Sequence, residues 1–557
     1  MQDLIQSAID HHKSGSLVKA ERIYGHILQD DPKDAYVYYL LGAARYQMKR
    51  WDSAIEVLQK SLELHPDYPS ALCCLGHTQR ALCRFDEAAT SYLRATNLQP
   101  THLEAWVGLA KVHLKRSDYD AALEAAEAAG KISADDPGAL IATGEIHGEK
   151  GDPDKALHYY NRCLEIAPHQ PYCHIHLGKL YMEQEKFDWA SDSFTRAIRL
   201  SNELMEPYMY LGDIYMRTKE YKKAEEHYRQ AFHLDPGNPE ISLRLGKFFE
   251  LHNRTAEAFA FFDHCVKSNP QCVEAQWKTG NLLFTHPHTK GRAEPYFRKA
   301  VELDDQCFEG YCGLAELRFQ TNNHYAYCEE AHKHFKPVTY VEIGVGRGQS
   351  MKCALPPTLC IGIDPAPEVM YSFNTYTRIF EMTSDAFFEK CDLISELGGR
   401  RVEMAFIDGL HQFEQVLKNF INIEKNASSD SLIFLYDCLP LDDITSSRER
   451  KTKFWTGDSW KVIPCLRRYR PDLKIISMPI YPAGLAVVTN LDPDSGVLKE
   501  MFDQATREFI PLNFSDVRDV ENVFNIVEDD WPSICNRIEQ IRPAASPYPF
   551  AKGGAAQ

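Results

Sequence analysis

The 557-residue sequence predicts two unlike folds in one chain: an all-α solenoid of antiparallel helix pairs, then an α/β domain on a seven-stranded, mostly parallel sheet. Three observations predict this. Small residues recur every 34 positions along the front of the chain. Behind them, short apolar runs rich in β-formers alternate with amphipathic helical stretches. The first of those runs ends in Glu342-Ile343-Gly344-Val345-Gly346-Arg347-Gly348, an acid followed by glycine at every second position.

The recurrent series is Ala8, Gly42, Gly76, Ala110, Gly144, Gly178, Gly212, Gly246, Gly280 and Ala315, with one interval of 35 at the end. A second series in the same phase runs through Ala20, Ala54, Ala88, Ala122, Ala156, Ala190, Ala224, Ala258 and Ala293, so the single inserted residue falls in the Thr285 to Lys290 turn. Two antiparallel helices pack closely where Gly or Ala of one faces Ala of the other, and Pro32, Pro66, Pro100, Pro168, Pro236 and Pro270 close the second helix. This pattern resembles tetratricopeptide repeats, with nine full units and the opening helix of a tenth over residues 1–322. The resemblance implies a right-handed superhelix that binds a protein or peptide partner in its groove. The groove-lining positions read His77, Lys111, Glu145, Lys179, Asp213, Lys247 and Asn281. Their signs alternate, with neither an asparagine ladder nor a uniform basic track, so a plain solvated groove stays open beside the binding reading.

A linking helix is expected over 323–336, then the α/β domain over 337–495. At its first turn, glycines let bare backbone N–H groups approach a ligand. A dinucleotide fingerprint is excluded, because the position needing its third glycine holds Gln349. Leu359 to Ile363 is a second strand ending at Asp364, 22 residues after Glu342, where a carboxylate can accept two ribose hydroxyls. Arg378 to Met382 is a third, ending in Thr383-Ser384-Asp385. Val402 to Ile407 is a fourth, ending in Asp408-Gly409-Leu410-His411-Gln412-Phe413 before a helix carrying Val416, Leu417, Phe420 and Ile423. Ser431 to Tyr436 is a fifth, tipped by Asp437-Cys438, and Lys474 to Ile480 with Leu485 to Leu491 form a closing hairpin.

E-x-G-x-G-x-G with this run of strand ends resembles the class I S-adenosylmethionine-dependent methyltransferases, a Rossmann-like fold, from about Phe335 to Asp492. The resemblance implies that Glu342, Gly344, Gly346, Gly348, Asp364, Ser384, Asp385 and Asp408 bind the cofactor S-adenosylmethionine, the Ser384 turn flanking the adenine. The D-G-x-H-x-aromatic element further resembles macrocin-type sugar O-methyltransferases. In that branch the Asp ligates a metal and the His is the general base, which makes Asp408 and His411 the catalytic candidates here. Asp408 and Asp437 are then the candidate metal ligands for a hard cation such as Mg²⁺. The branch has paired acids where this chain has Asp437-Cys438, which puts the metal in question. Turn chemistry accounts for Asp364 and Asp385 on their own, and a satisfied helix-start residue for His411.

Leu441 to Leu466 is the expected lid. Its Trp455-Thr456-Gly457-Asp458-Ser459-Trp460-Lys461 stretch suits either stacking on a sugar or anchoring a helix, anchoring being the plainer use. Arg448, Arg450, Lys451 and Lys453 would favour an acidic acceptor only if they face the cleft. Beyond Asp492 a helical extension is expected over 496–543 and a disordered tail over 544–557.

A net charge of −17 with no basic stripe argues against nucleic acid as a partner. No run of about 18 apolar residues suggests a membrane span. The 16 cysteines are dispersed without a C-x-x-C pair and no secretory signal precedes Leu4, so free thiols in the cytoplasm are expected. The expectation is a methyltransferase acting on a sugar or other small-molecule or glycan hydroxyl, its repeats recruiting partner or substrate. A repeat adaptor with an inactive methyltransferase domain, or a protein methyltransferase, fits the same residues.

Overall fold

The computed structural model of the chain describes residues 2–319, 323–527 and 530–543, so the tail expected at 544–557 lies outside the described residues. Two compact units meet in sequence after Phe248 and are described in turn.

In the first unit the helix pairs are Gln2–Lys13 with Leu17–Asp30, Ala35–Gln47 with Trp51–Leu64, Pro69–Ala81 with Phe85–Leu98, and Leu103–Lys115 with Tyr119–Ile132. Pro137–Glu149 with Pro153–Ile166, Pro171–Glu183 with Phe187–Leu200, and Met205–Arg217 with Tyr221–Leu234 follow. Local chemistry sets their ends. Pro69, Pro137 and Pro171 occupy the first helical position, where a missing N–H costs nothing. Ahead of each closing proline, His65, Gln99, Ala167 and Asp235 have φ from −128 to −141° and ψ from 73 to 89°. Those values follow from the clash that proline's ring imposes on a helical predecessor.

The alanine series is wholly buried at every position. The glycine series packs differently from the expectation of glycine against alanine. A Cβ built on Gly76, Gly144, Gly178 or Gly212 would fall 2.7, 2.5, 2.7 or 2.4 Å from the ring of Tyr92, Tyr160, Phe194 or Tyr228, and one on Gly42 would fall 2.5 Å from Leu58. Each glycine therefore makes room for a bulky side chain 16 positions on, carried by the paired helix. Where that bulky position holds Ala126, the small one holds Ala110, so volume across the seam is shared between the two.

One expectation about the cysteines is corrected. Cys163 and Cys173 form a disulfide, because the end of one repeat and the start of the next bring the two buried sulfurs face to face. The other 14 are free thiols.

Pro239–Leu251 spans the divide, and the second unit continues with Thr255–Ser268, Val273–Phe284, Glu294–Leu303 and Phe308–Phe319. The inserted residue is absorbed by a 3₁₀ turn at Lys290–Arg292. A helix at His324–Phe335 leads into the sheet, whose strands are β1 (Thr339–Ile343), β2 (Leu359–Asp364), β3 (Tyr376–Glu381), β4 (Val402–Ile407), β5 (Ala427–Tyr436), β6 (Lys474–Met478) and β7 (Leu485–Thr489). Their spatial order is β3-β2-β1-β4-β5-β7-β6, parallel except that β7 runs antiparallel to β5 and β6.

Successive side chains of a strand alternate between faces. Val341, Ile343, Ala405 and Ile407 share one core with Phe413, Leu417 and Phe420 of the helix Phe413–Lys425, while Tyr340, Met404 and Phe406 share the other with Tyr327 and Ala331. Short helices at Val497–Glu500, Phe502–Phe509, Val520–Phe524 and Trp531–Ile541 complete the described residues. No helix among those residues is long and apolar enough to cross a membrane.

Candidate functional site

Register decides where the strand tips meet. Ile343 pairs with both Ile363 and Ile407, and Ile407 with Leu435, so Gly344, Asp364, Asp408 and Tyr436 leave the sheet along one edge. The order reverses between β1 and β4, the place where such sheets open a crevice at their carboxyl ends.

The β1 and β4 loops are stitched together there. Gly344 N–H donates to Ile363 O at 2.9 Å and Asp408 N–H to Ile343 O at 2.8 Å. Gly344 has φ +89°, and a Cβ on it would stand 1.9 Å from the Asp408 carbonyl oxygen, so only glycine fits. Gly346, at φ +50°, faces open space. Its N–H donates to Asp364 Oδ2 at 2.8 Å, and Ala366 N–H donates to Oδ1 at 2.8 Å. Each oxygen of Asp364 thus accepts one backbone hydrogen bond and retains a lone pair for a ligand.

A cavity of about 850 Å³ opens at this edge, and Gly344, Gly346, Asp364, Ser384, Asp385, Asp408 and His411 line it. Glu342, Gly348 and Asp437 do not. Gly348, at φ +78°, backs onto the Phe373 ring. Glu342 lies on the Tyr340 face of β1, completely buried, accepting from Tyr340 Oη at 2.7 Å and Ser350 Oγ at 2.6 Å. Its expected contact with a ligand is corrected to a support beneath the glycine turn, because strand alternation turns its side chain inward. Burial pushes its pKa up to about 8 against those two hydrogen bonds.

His411 stands between two acids. Its Nδ1 lies 2.8 Å from Asp437 Oδ2 and its Nε2 3.5 Å from Asp408 Oδ1. The shorter contact is an ion pair without an aligned hydrogen bond, so the buried Nδ1 has no directed acceptor. Burial works against a charged ring, but Asp437 and Asp408 outweigh it and hold the imidazolium well above its ordinary pKa. The ring is therefore charged at neutral pH, which an unassisted general base cannot be. Burial likewise pushes Asp408 up to about 6, with His411 pulling the other way. One donor atom from each of the three lies within 4.8 Å of the others, a set that fits a divalent cation. Cys438 is buried in the apolar core and supplies no further ligand.

The W-T-G-D-S-W-K stretch resolves as an anchor for this cluster. Trp455 stacks on the His411 ring, centroids 5.4 Å apart and planes at 8°, while its indole N–H donates to Ser447 O at 2.6 Å. Gly457, at φ +65°, touches the His411 carbonyl, where a Cβ would come within 2.0 Å. Asp458 is wholly buried; its N–H donates to His411 O at 3.0 Å, and its Oδ1 accepts from Phe413 N–H at 2.8 Å. Lys461 and Arg448 balance its charge at 3.2 and 3.5 Å. Trp460 is buried against Phe514. Arg448 also pairs with Glu414, and none of the four lid cations lines the cavity.

Five wall residues escaped the sequence reading: Tyr325, Ser350, Gln415, Asn419 and Tyr436. Gln415 Nε2–H donates to Asp385 Oδ1 at 2.8 Å, tying the β3 turn to the helix Phe413–Lys425. Asn419, wholly buried among Val416, Phe420 and Ile423, was the one legible signal, a polar residue inside an apolar stripe. Tyr325 and Tyr436 flank the His324 ring, with centroids 3.9 and 4.1 Å from it. Nothing local in the sequence brings those rings together.

A methyltransferase-domain family model matches residues 341–438, from β1 through the Asp437 turn. Tetratricopeptide-repeat models match residues 11–72, 75–137, 138–170 and 205–238. No curated protein matches the chain. Among solved structures, a chain of the APC/C hetero-tetramer Cut9-Hcn1 is similar over 50% of this chain at 18% identity and TM-score 0.39. This chain spans only 55% of that relative. A tetratricopeptide repeat protein from Parabacteroides merdae is similar over 45% of this chain and 97% of its own at 17% identity and TM-score 0.39. MamA is similar over 28% of this chain and 93% of its own at 25% identity and TM-score 0.26. The chain is thus a helical tetratricopeptide solenoid followed by a seven-stranded mixed-sheet domain, whose methyltransferase match supports methyl transfer.

Proposed function

We propose that this chain is an S-adenosylmethionine-dependent methyltransferase whose acceptor is a hydroxyl on a sugar or related small molecule, and that the repeats over 1–322 recruit its partner or substrate. The observation that supports it is convergence: Gly346, Asp364, Ser384 and Asp385 share one cavity with Asp408 and His411, and the buried Asp437 backs His411 to complete the cluster. The resemblance to macrocin-type enzymes around His411 supplies the acceptor class.

Methyl transfer from a sulfonium discharges the sulfur and needs mainly alignment, which a cavity of about 850 Å³ can give to donor and acceptor together. Asp364 would hold the ribose through its remaining lone pairs, and Ser384 with Asp385 the adenine. A hydroxyl must lose its proton on attack. Asp408 accepts it, its pKa pushed toward neutrality by burial, while the charged His411 stabilises the forming alkoxide. Should a cation such as Mg²⁺ bind, Asp408, Asp437 and His411 would hold it; its chemistry is to lower the hydroxyl's pKa, with His411 neutral.

Calorimetry with S-adenosylmethionine and its demethylated product should show binding that Asp364→Ala weakens at least tenfold. Absence of heat with both ligands would remove the reading. Labelled donor offered with a cell extract should then mark small molecules or glycans; label in protein would overturn the acceptor class.

A further inference from the structure

A second ligand-bearing cluster lies among the repeats of the first unit. Cys73 and His77 are one turn apart on the helix Pro69–Ala81, and so project from the same face. Glu104 sits at the start of the next repeat's first helix, Leu103–Lys115. Cys73 Sγ is 3.5 Å from His77 Nε2, and the three donor atoms all lie within 4.8 Å of one another. A tetrahedral zinc ion with bonds of about 2.3 Å to sulfur and about 2.0 Å to nitrogen separates those two atoms by roughly 3.5 Å. A thiol–imidazole hydrogen bond alone would account for that distance, but it gives no reason for a carboxylate from the following repeat to close the triangle.

The support behind His77 points the same way. Tyr92 Oη lies 2.6 Å from His77 Nδ1, which commits that nitrogen and leaves Nε2 for Cys73. Tyr92 is completely buried and wedged against Gly76 and Gly108, whose built Cβ atoms would stand 2.7 and 2.5 Å from its ring. A metal-bound imidazole is oriented in this way, by a fixed partner on its far nitrogen. A small cavity of about 230 Å³ beside the cluster, lined by His77, Glu104, Arg80 and Lys111, leaves a side open for a fourth ligand.

We infer that Cys73, His77 and Glu104 bind a zinc-type divalent cation in the repeat array, with its fourth position open to that cavity. On binding, the Cys73 thiol releases its proton to solvent, and thiolate and carboxylate together cancel the ion's two charges. The site can therefore stand beside Arg80 and Lys111 without gathering excess positive charge.

Co²⁺ added to the chelator-treated full-length protein is the probe, because cobalt bound to thiolate shows a sulfur-to-metal charge-transfer band that the Asp408–His411–Asp437 cluster cannot produce. One such cobalt per chain is expected, displaced by Zn²⁺, lost in Cys73→Ser and kept in Cys74→Ser and Asp437→Asn. Tyr92→Phe should weaken binding by roughly 10- to 100-fold. Glu104 is exposed, so Glu104→Gln leaves the fold intact and decides the matter even if Cys73→Ser fails to fold; at least a tenfold loss is expected. No charge-transfer band, a band undiminished in Cys73→Ser, or unchanged affinity in Glu104→Gln would overturn the inference.

Discussion

Replacing Gly344 and Gly346 separately by alanine tests how the glycine turn is built. Both have positive φ, so each alanine incurs the left-handed penalty, roughly 1 to 2 kcal/mol. They differ in space. A Cβ at Gly346 meets nothing within 4 Å, whereas one at Gly344 stands 1.9 Å from Asp408 O and 2.9 Å from Gly409 Cα. Those are backbone atoms held by the Asp408 N–H bond to Ile343 O, so no side chain can rotate aside. Overpacking of this kind adds about 1 to 3 kcal/mol, for a total near 2 to 5 kcal/mol at Gly344. A chain of two compact units has no single unfolding free energy, so local hydrogen exchange is the suitable assay. Relative to Gly346→Ala, Gly344→Ala should lose a further 5- to 150-fold or so of amide protection at Ile343, Gly344 and Asp408. Gly346→Ala should lose only the share set by the left-handed penalty, yet weaken donor binding, because its methyl enters the cavity. Equal loss of protection in the two variants would refute the argument that the Asp408 loop is what demands glycine.

Glu342 has its folded pKa raised to about 8, so its contribution is present below the ordinary value of 4.5 and lost as pH rises through 8. Glu342→Gln should match the parent in acid and exceed its Tm above about pH 8, measured by calorimetry across pH. Activity should rise as Asp408 ionises near pH 6, and Asp408→Asn should remove that limb of the pH–rate profile. Gly212→Ala, with its Cβ 2.4 Å from the Tyr228 ring, should cost about 1 to 3 kcal/mol of local stability, read from amide protection along Met205–Arg217. Adding Tyr228→Ala, which copies the Ala110–Ala126 pairing, should recover part of that loss as a coupling of about 0.5 to 3 kcal/mol. Lys219, at φ +64° where its repeat turns, should gain about 0.5 to 1 kcal/mol as Lys219→Gly, read from amide protection in the same helix pair.

Most of the architecture was legible because its signals are periodic or local. A 34-residue recurrence can be read without knowing what each glycine faces, and Val402 to Ile407 announces a buried strand by composition alone. The identity of the partner across the seam was not legible: glycine looked paired with alanine, yet the ring 16 positions on fills the space. The cavity wall followed the same division. Asp364, Asp385 and Asp408 stand at strand ends, where sequence order already implies a common edge. Tyr325 and Tyr436 come from a helix and a strand more than a hundred residues apart, and only packing around His324 makes them neighbours. The Cys163–Cys173 bond likewise depends on how one repeat meets the next.

By itself, then, the sequence determined the repeat array, the run of strands and the acids and glycines at their tips, since propensity, turn chemistry and hydrophobic period act over a few residues. The tertiary structure alone decided charge and contact at the site. It turned Glu342 away from the cavity, set His411 between two carboxylates so that its ring is charged, and gave Gly457 and Asp458 the task of holding that loop. Those outcomes depend on strand register and on burial, which set distances and desolvation between residues far apart in the chain, and no local pattern encodes either quantity.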